Sequence, residues 1–234
     1  MSTTHGYIEQ SLLLGMNPPE VCTEKNKAIW SKYNMRPVFL PFVPSEDTGQ
    51  IEANQDRFVD FLVKPRKWFY QMIEDGEIER ISSRVRFGWY LVDFSVGVDY
   101  QYGTQVFPND PLAPIIEKLR KAHKIGTENG VPLGSRFAIT KKEWIDFLLP
   151  ALGSELNINS GQLRLERYVE FNAIGNLYDS NRGQFNMWEL FQDNFGRWCS
   201  LCGGHRGDGG LANVHVSNSM ERHNFIAARP IAVL

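Results

Sequence analysis

The stretch GQFNMWELFQDNFG at residues 183–196 is rich in aromatic residues and is followed by a glycine-rich segment. Six glycines lie between positions 196 and 210, which predicts a loop over that ground. Cys199 and Cys202 form a single C-x-x-C pair where this segment begins. The sequence therefore predicts an ordered aromatic segment that leads into a long loop.

Residues 211–217 alternate with a period of two, which is typical of a strand. The alternation predicts that Val214 and Val216 point inward. It also predicts that Asn213, His215 and Ser217 point outward. A last apolar strand, IAARPIAVL, ends the sequence.

The N-terminal part has a different character. Apolar residues recur at intervals of three and four over residues 51–75, and Pro65 interrupts them, which predicts two short helices or a kinked one. Residues 79–107 are rich in Val, Phe, Tyr and Trp and are punctuated by glycine, which predicts strands and hairpins.

Local signals predict two elements between residues 110 and 140. Asp110 can cap a helix that has Pro111 at its first position, and Gly126 favours the end of that helix. The tetrapeptide FAIT at 137–140 predicts a short strand.

A further helix is predicted immediately afterwards. Thr140 and Glu143 have the spacing of a capping box, and Pro150 is predicted to end the helix or to lie near its end. Residues 156–179 fit either a strand or a helix, so both remain open there.

Composition excludes several classes of protein. The chain has 234 residues, of which 42% are hydrophobic and 22% charged, which is enough for one large or two small globular domains. A formal net charge of −2 disfavours general nucleic-acid binding, since such proteins are usually basic. No apolar run approaches the roughly 20 residues of a membrane span. The N-terminus lacks the features of a signal peptide, so we expect synthesis in a cytosol, which a virion protein would share.

Cysteines and histidines cluster near the C-terminus, which raises a zinc hypothesis. Cys199 and Cys202, with His205, His215 and His223, would supply enough ligands for a four-coordinate site. A strong zinc signature has two paired knuckles, and only one pair exists here. We favour the alternative, a surface loop that carries polar residues and no metal.

Other chemistries have weaker signals. A redox C-x-x-C needs its first cysteine at a helix N-terminus, whereas Gly-Gly follows this one. The glycine-rich stretch lacks the Lys and the Ser or Thr of a phosphate-binding loop. Glu189 and Asp193 would share a helix face, and such a pair can do acid–base work, but a solvated helix edge is the commoner arrangement. We therefore expect no catalytic residue and no cofactor.

Several segments together resemble the formylglycine-generating-enzyme type of domain, a branch of the C-type lectin fold. Gly175-Asn176 and then Asn186–Gly196 resemble its G-N-V-W-E-W…D segment. Residues 137–144 are similar to its E-V-T entry from strand to helix. The match continues in order through Gly203-Gly204, Gly209–Ala212 and Phe225–Pro230, the last being similar to the family's terminal I-G-F-R-P strand.

The resemblance implies a binding protein more than an enzyme. The oxidising enzymes of this type carry their catalytic cysteines after the Gly-Gly pair, whereas Cys199 and Cys202 precede Gly203-Gly204. A long segment that identifies the enzymes is also missing between residues 150 and 175. The other subfamily comprises the variable proteins of diversity-generating retroelements, which are often phage receptor-binding proteins or cell-surface ligand binders.

Residue usage near the C-terminus resembles that of such a variable region. These regions are mutagenised at template adenines, chiefly in Asn codons, and randomising the first two bases of AAC or AAT cannot yield Lys, Gln, Trp, Met or Glu. Between Cys199 and Phe225, only Met220 and Glu221 are of those types. The C-x-x-C is then interpreted as two sampled positions, whereas Trp188, Val214, Val216 and Ile226 are expected to be fixed core positions.

Taken together, the sequence predicts an α+β chain. Residues 1–79 form a mixed, partly helical part for oligomerisation or attachment, and residues 80–234 form a C-type-lectin-like ligand-binding domain. We expect a non-enzymatic protein whose partner is a protein or glycan receptor on a cell surface, with no nucleic acid. A homo-oligomer stays open, as do a structural virion or assembly protein and a zinc- or thiol-dependent enzyme. The expected ligand-binding residues are Asn194, Arg197, His205, Arg206, Asp208, Asn213, His215, Ser217, Asn218, Arg222, His223 and Asn224.

Overall fold

Two four-stranded sheets organise the chain in the computed structural model, which describes residues 17–40, 62–101 and 104–234. The part of the helix prediction that concerns residues 51–61 lies outside the described residues. The strands are β1 (Met35–Leu40), β2 (Gly88–Asp93), β3 (Leu163–Leu165), β4 (Trp188–Phe195), β5 (Cys199–Gly203), β6 (Val214–Asn218), β7 (Ile226–Ala228) and β8 (Pro230–Val233).

Helices and short 3₁₀ turns connect these strands, so the chain is mixed α and β as predicted. No helix in the described ranges is long and apolar enough to span a bilayer. The 3₁₀ turns are Arg80–Ser83, Ser160–Gln162, Arg206–Asp208 and Gly210–Ala212. The α-helical segments are α1 (Glu24–Ser31), α2 (Lys67–Glu74), α3 (Ala113–Lys121), α4 (Lys141–Glu143), α5 (Leu149–Leu156) and α6 (Tyr168–Leu177).

The predicted capping box is confirmed at the start of α4. The Thr140 hydroxyl accepts from the Glu143 N–H, and the Glu143 carboxylate accepts from the Thr140 N–H at 3.0 Å. The prediction that Pro150 ends this helix is wrong. A π-helical turn, Trp144–Leu148, joins α4 to α5, and Pro150 lies in the first turn of α5, where its missing N–H is tolerated.

Sheet A has the strand order β1-β2-β8-β3, with every neighbouring pair antiparallel. Strand β1, from the predicted N-terminal part, pairs with β2 through all six of its residues. The last strand, β8, lies between β2 and β3. The predicted boundary at residues 79 and 80 thus falls between two strands of one sheet.

Sheet B has the order β6-β5-β4-β7, in which β4 and β7 are parallel and the other pairs are antiparallel. A register shift between Leu190 and Asn194 interrupts the β4–β5 ladder. Arg229 alone separates β7 from β8, so the chain passes directly from one sheet to the other. Within the described residues, β6 forms an edge of sheet B.

Three local predictions differ from the structure. Residues 79–107 contain one strand, β2, within the described part rather than hairpins, because β2 pairs with distant segments. Residues 137–140 form no strand, since Ala138 has a φ of 58° and donates its N–H to the His223 carbonyl. Helix α3 begins later than predicted, at Ala113 with Leu112 at the N-cap position, and the Asp110 carboxylate accepts both from the Leu112 N–H at 2.9 Å and from Arg136.

A buried ion-pair cluster fixes the strands and loops around the junction of the two sheets. Its three arginines are almost fully buried, and removal of one partner from such a pair is costly. The pairs are Arg136 with Asp93 and Asp110, Arg182 with Glu166, and Arg229 with Glu189.

Candidate functional site

A groove of about 610 Å³ opens beside the edge strand β6, and we call it the β6 groove. Five of the predicted ligand-binding residues line it: Asp208, His215, Ser217, Asn218 and His223. The remaining lining residues are Trp188, Cys202, Val216, Glu221 and Phe225.

Strand register explains why residues distant in sequence meet in this groove. On β5, Cys202 lies opposite Leu190 of β4 and His215 of β6. Directly paired residues share a face of a sheet, and Trp188 is two residues from Leu190 on the same strand. Trp188, Cys202 and His215 therefore share the groove face of sheet B.

Aromatic and imidazole rings pack together in the groove and beside it, and His205 lies beside it rather than in its lining. The ring of His205 stacks on Trp188, with centroids 5.2 Å apart and an interplanar angle of 18°. His215 meets the same indole edge to face at 4.8 Å. His223 packs against Phe225 with centroids 5.3 Å apart. Three imidazoles are thus held beside two apolar rings.

Two carboxylates lie among these rings. Asp208 Oδ2 is 2.9 Å from His205 Nδ1, and Glu221 Oε2 is 3.7 Å from His223 Nε2. Glu221 Oε1 also accepts a hydrogen bond from the Asn218 amide at 2.9 Å. The side chains of Asp208 and Glu221 are 44% and 60% exposed, so a ligand in the groove can reach both.

The loop that leads into β6 is shaped mainly by its main chain. Arg66 donates to the Asp208 carbonyl, and the Arg206 N–H donates to the Phe185 carbonyl at 2.7 Å. Gly210 has a φ of 56°, and a Cβ there would lie 2.6 Å from the Gly183 carbonyl oxygen. The path of the loop therefore depends on glycines and main-chain contacts more than on the side chains that it displays.

Asn194, Arg197 and Arg206 are exposed but do not line the groove. Asn194 Oδ1 accepts from Lys141 Nζ at 2.7 Å, and Arg197 lies in the turn between β4 and β5. Arg206 Nη2 lies 3.6 Å from an Asp99 carboxylate oxygen. The structure therefore separates these three residues from the groove set.

Arg222 and Asn224 are occupied by contacts within the protein. Arg222 Nη2 donates to Glu143 Oε1 at 2.6 Å, and Nη1 donates to the second oxygen of the same carboxylate. Asn224 Oδ1 accepts from the Tyr100 hydroxyl at 3.2 Å. These residues anchor the segment between β6 and β7 and are poorly placed to contact a ligand.

The predicted orientations of Asn213 and Val216 are wrong. Asn213 is fully buried, and neither polar atom of its side chain has a hydrogen-bond partner in the described part of the protein. Val216 is 39% exposed, although the predicted core positions Val214 and Ile226 are buried as expected. The strand begins only at Val214, after a 3₁₀ turn, and nothing described covers its outer end.

The C-x-x-C pair does not form a single site. Cys199 and Cys202 are three residues apart on β5, so they point to opposite faces of the sheet. Burial raises the pKa of the Cys202 thiol to about 12, which makes it a poor nucleophile. In the ranges that the structure describes, no three His, Cys, Asp or Glu side chains are grouped to hold a metal ion.

Glu189 and Asp193 lie on strand β4, so the predicted shared helix face is wrong. Glu189 pairs with Arg229 at 2.7 Å, whereas Asp193 accepts from the Tyr168 N–H at 2.7 Å. Burial raises the pKa of both carboxyl groups. They are shut off from solvent and bound to different partners, which does not fit an acid–base pair open to substrate.

Sequence reasoning missed five of the ten lining residues, and three of these, Trp188, Glu221 and Phe225, supply rings or charge to the groove. Trp188 is predicted in the core, yet it is half-buried and central to the groove. Glu221 and Phe225 stand beside predicted ligand-binding positions, and that neighbourhood is the signal that could have found them.

No family model, curated protein or solved structure was found to match the chain.

Proposed function

We propose that this chain is a non-enzymatic binding protein with a C-type-lectin-like fold of the formylglycine-generating-enzyme type. Its β6 groove receives a receptor on a cell surface. The observation that carries the proposal is the convergence of Asp208, His215, Ser217, Asn218 and His223 in one groove. A concave site with apolar rings and a few polar groups is the usual form of a binding site.

The placement of the family-like segments supports the fold proposal. The segment around Trp188 forms β4, and Gly203-Gly204 ends β5 and begins the loop. Residues 225–230 enclose β7 and begin β8. Segments that resemble those of the family, in the same order along the chain, thus lie next to one another around sheet B.

The same geometry favours a variable binding face. His215, Ser217 and Asn218 lie on an edge strand whose pairing with β5 uses the main chain, so their side chains can change without loss of that pairing. Asn213 and Arg222 are buried or ion-paired and do not suit variation. The proposed diversified positions are therefore those of the groove, as in a diversity-generating-retroelement target of phage or cell-surface type.

Binding to an arrayed set of glycans and random peptides tests the proposal. We expect the wild-type protein to bind some members, and the double variant His215→Ala/Ser217→Ala to lose them. Arg197→Ala is the matched control, because Arg197 is a predicted ligand-binding residue outside the groove. Absence of binding, or binding that survives the double variant and is lost in Arg197→Ala, would overturn the proposal.

A further inference from the structure

The geometry points to a basic side chain, arginine or lysine, on an extended segment of a protein partner as the occupant of the β6 groove. This inference rests on the proposed binding function and names the ligand class. It is carried by three observations on the groove: the sign of its charged residues, its rings and its position at a sheet edge.

The first observation is the charge of the lining. Asp208 and Glu221 are carboxylates, and the ten lining residues include no lysine or arginine, the other titratable side chains being Cys202, His215 and His223. Arg66 donates to the main-chain carbonyl of Asp208, and Arg222 is held by Glu143. Each carboxylate keeps exposed surface towards solvent. A guanidinium or ammonium group would therefore meet opposite charge in the groove.

The second observation is the pair of large rings. Trp188 and Phe225 line the same groove as the two carboxylates. Aromatic faces attract cations through the ring quadrupole, and the aliphatic stems of arginine and lysine pack well on apolar rings. Rings beside carboxylates thus suit a side chain that is apolar along its stem and charged at its end.

The third observation is the position of the groove at the edge of sheet B. Four consecutive residues of β6, His215, Val216, Ser217 and Asn218, line it. Consecutive strand residues point to opposite faces, so the groove reaches around the edge of the strand. An exposed edge can pair with an extended peptide, which would place alternate side chains towards the groove. This favours a protein segment over a glycan.

Two sets of acetylated and amidated synthetic heptapeptides test the inference. Both sets are random except at the central residue, which is Arg or Lys in one set and Leu or Glu in the other. Each is titrated against the wild-type protein, the double variant Asp208→Asn/Glu221→Gln and the control Glu117→Gln. Glu117 carries an exposed carboxylate on α3, outside the groove lining.

We expect bound peptides to come from the Arg or Lys set. The double variant should bind these peptides with an affinity lower by about tenfold or more, since a charged hydrogen bond contributes on the order of 1.5–3 kcal/mol. Glu117→Gln should bind like the wild type. Because the side chains of Asp208 and Glu221 are exposed, we expect the double variant to fold like the wild type, and equal thermal melting of the variants checks this.

Three other outcomes overturn the inference. In the first, most bound peptides come from the Leu or Glu set and their binding is lost in His215→Ala/Ser217→Ala. The groove is then a binding site for another class of ligand. Basic peptides that bind the double variant unchanged do not use the carboxylates. If neither peptide set binds but a glycan binds through the groove, only this inference is overturned. If no peptide and no glycan binds, the proposed function is overturned as well.

Discussion

Glu166 lies in the buried ion-pair cluster and faces the guanidinium group of Arg182. Burial raises the pKa of this carboxyl from its usual 4.5 to about 7, although the charges of Arg182 and Arg229 oppose the rise. Glu189 adds a further negative charge nearby and supports the rise. The folded protein therefore retains a proton on Glu166 at a pH where the unfolded chain has released it.

This retained proton predicts a pH dependence of stability. Between pH 4.5 and about 7 the folded state binds more protons than the unfolded state, so the free energy of unfolding falls as the pH rises through this window. Urea unfolding at pH 5 and pH 8 measures this change. Between these pH values the free energy of unfolding of the wild type should fall by up to about 3 kcal/mol more than that of Glu166→Gln. Glu117→Gln should retain the wild-type slope. Equal slopes in Glu166→Gln and wild type would contradict the account.

Gly203, at the end of β5, allows the main chain just before β6 to approach closely because it has no side chain. A Cβ at this position would overlap the main-chain oxygen of Asn213, and it would lie 3.1 Å from the Phe191 ring. Because the first obstacle is main chain, it cannot move aside as a flexible side chain would.

We expect Gly203→Ala to destabilise the protein by about 2 kcal/mol or more, since overpacking in a filled site typically costs 1–3 kcal/mol. Gly161→Ala is the matched control, because its nearest neighbour would lie at 3.6 Å, an ordinary contact. Thermal melting of both variants measures the difference. Equal melting temperatures would show that the β5–β6 approach is less tight than described.

Helix α4 and the segment between β6 and β7 are joined by Glu143. Its carboxylate accepts from Arg222, from the Thr140 N–H and from the Gly126 N–H at 2.6 Å. Burial opposes ionisation, but these hydrogen bonds outweigh it and lower the pKa of Glu143 to about 2. This contribution to stability is fully present above pH 4.5 and is lost as the pH falls through about 2.

Arg222→Ala tests this connection. It should lower the free energy of unfolding by about 1–3 kcal/mol, because it leaves the Glu143 carboxylate without its charged partner. It should also weaken ligand binding through the groove, since His223 is the next residue. Arg197→Ala is the control and should change stability by less than about 0.5 kcal/mol. Chemical unfolding of both variants measures the difference, and an Arg222→Ala protein as stable as the control would show that the Glu143–Arg222 pair does not stabilise the fold.

The elements that the sequence predicts well are those with local signals. The capping box of Thr140 and Glu143 lies within four residues and is confirmed. The prediction that Pro150 ends the helix fails because the π-helical turn before it is not visible in local composition. Strand β2 is found, but its partners β1 and β8 are distant in sequence, so the predicted hairpins could not be distinguished from long-range pairing.

The whole molecule brings the groove together from five separate segments, one of which is the 3₁₀ turn that carries Asp208. Trp188 comes from β4, Cys202 from β5, His215 from β6 and Phe225 from the approach to β7. Period-two alternation predicts the exposure of His215, but it misplaces Val216 because it assumes that one face of the strand is covered. Burial of Asn213 depends on the preceding 3₁₀ turn, which alternation does not reveal.

Deep sequencing of the 3′ end of this gene across a natural population, with its flanking DNA, tests the variable binding face most directly. The account predicts substitutions concentrated at Asp208, His215, Ser217, Asn218 and His223 and matched to adenines of a nearby template repeat. Arg229 and Val214, which are buried, should stay constant. A groove as invariant as these buried positions would contradict a variable binding face.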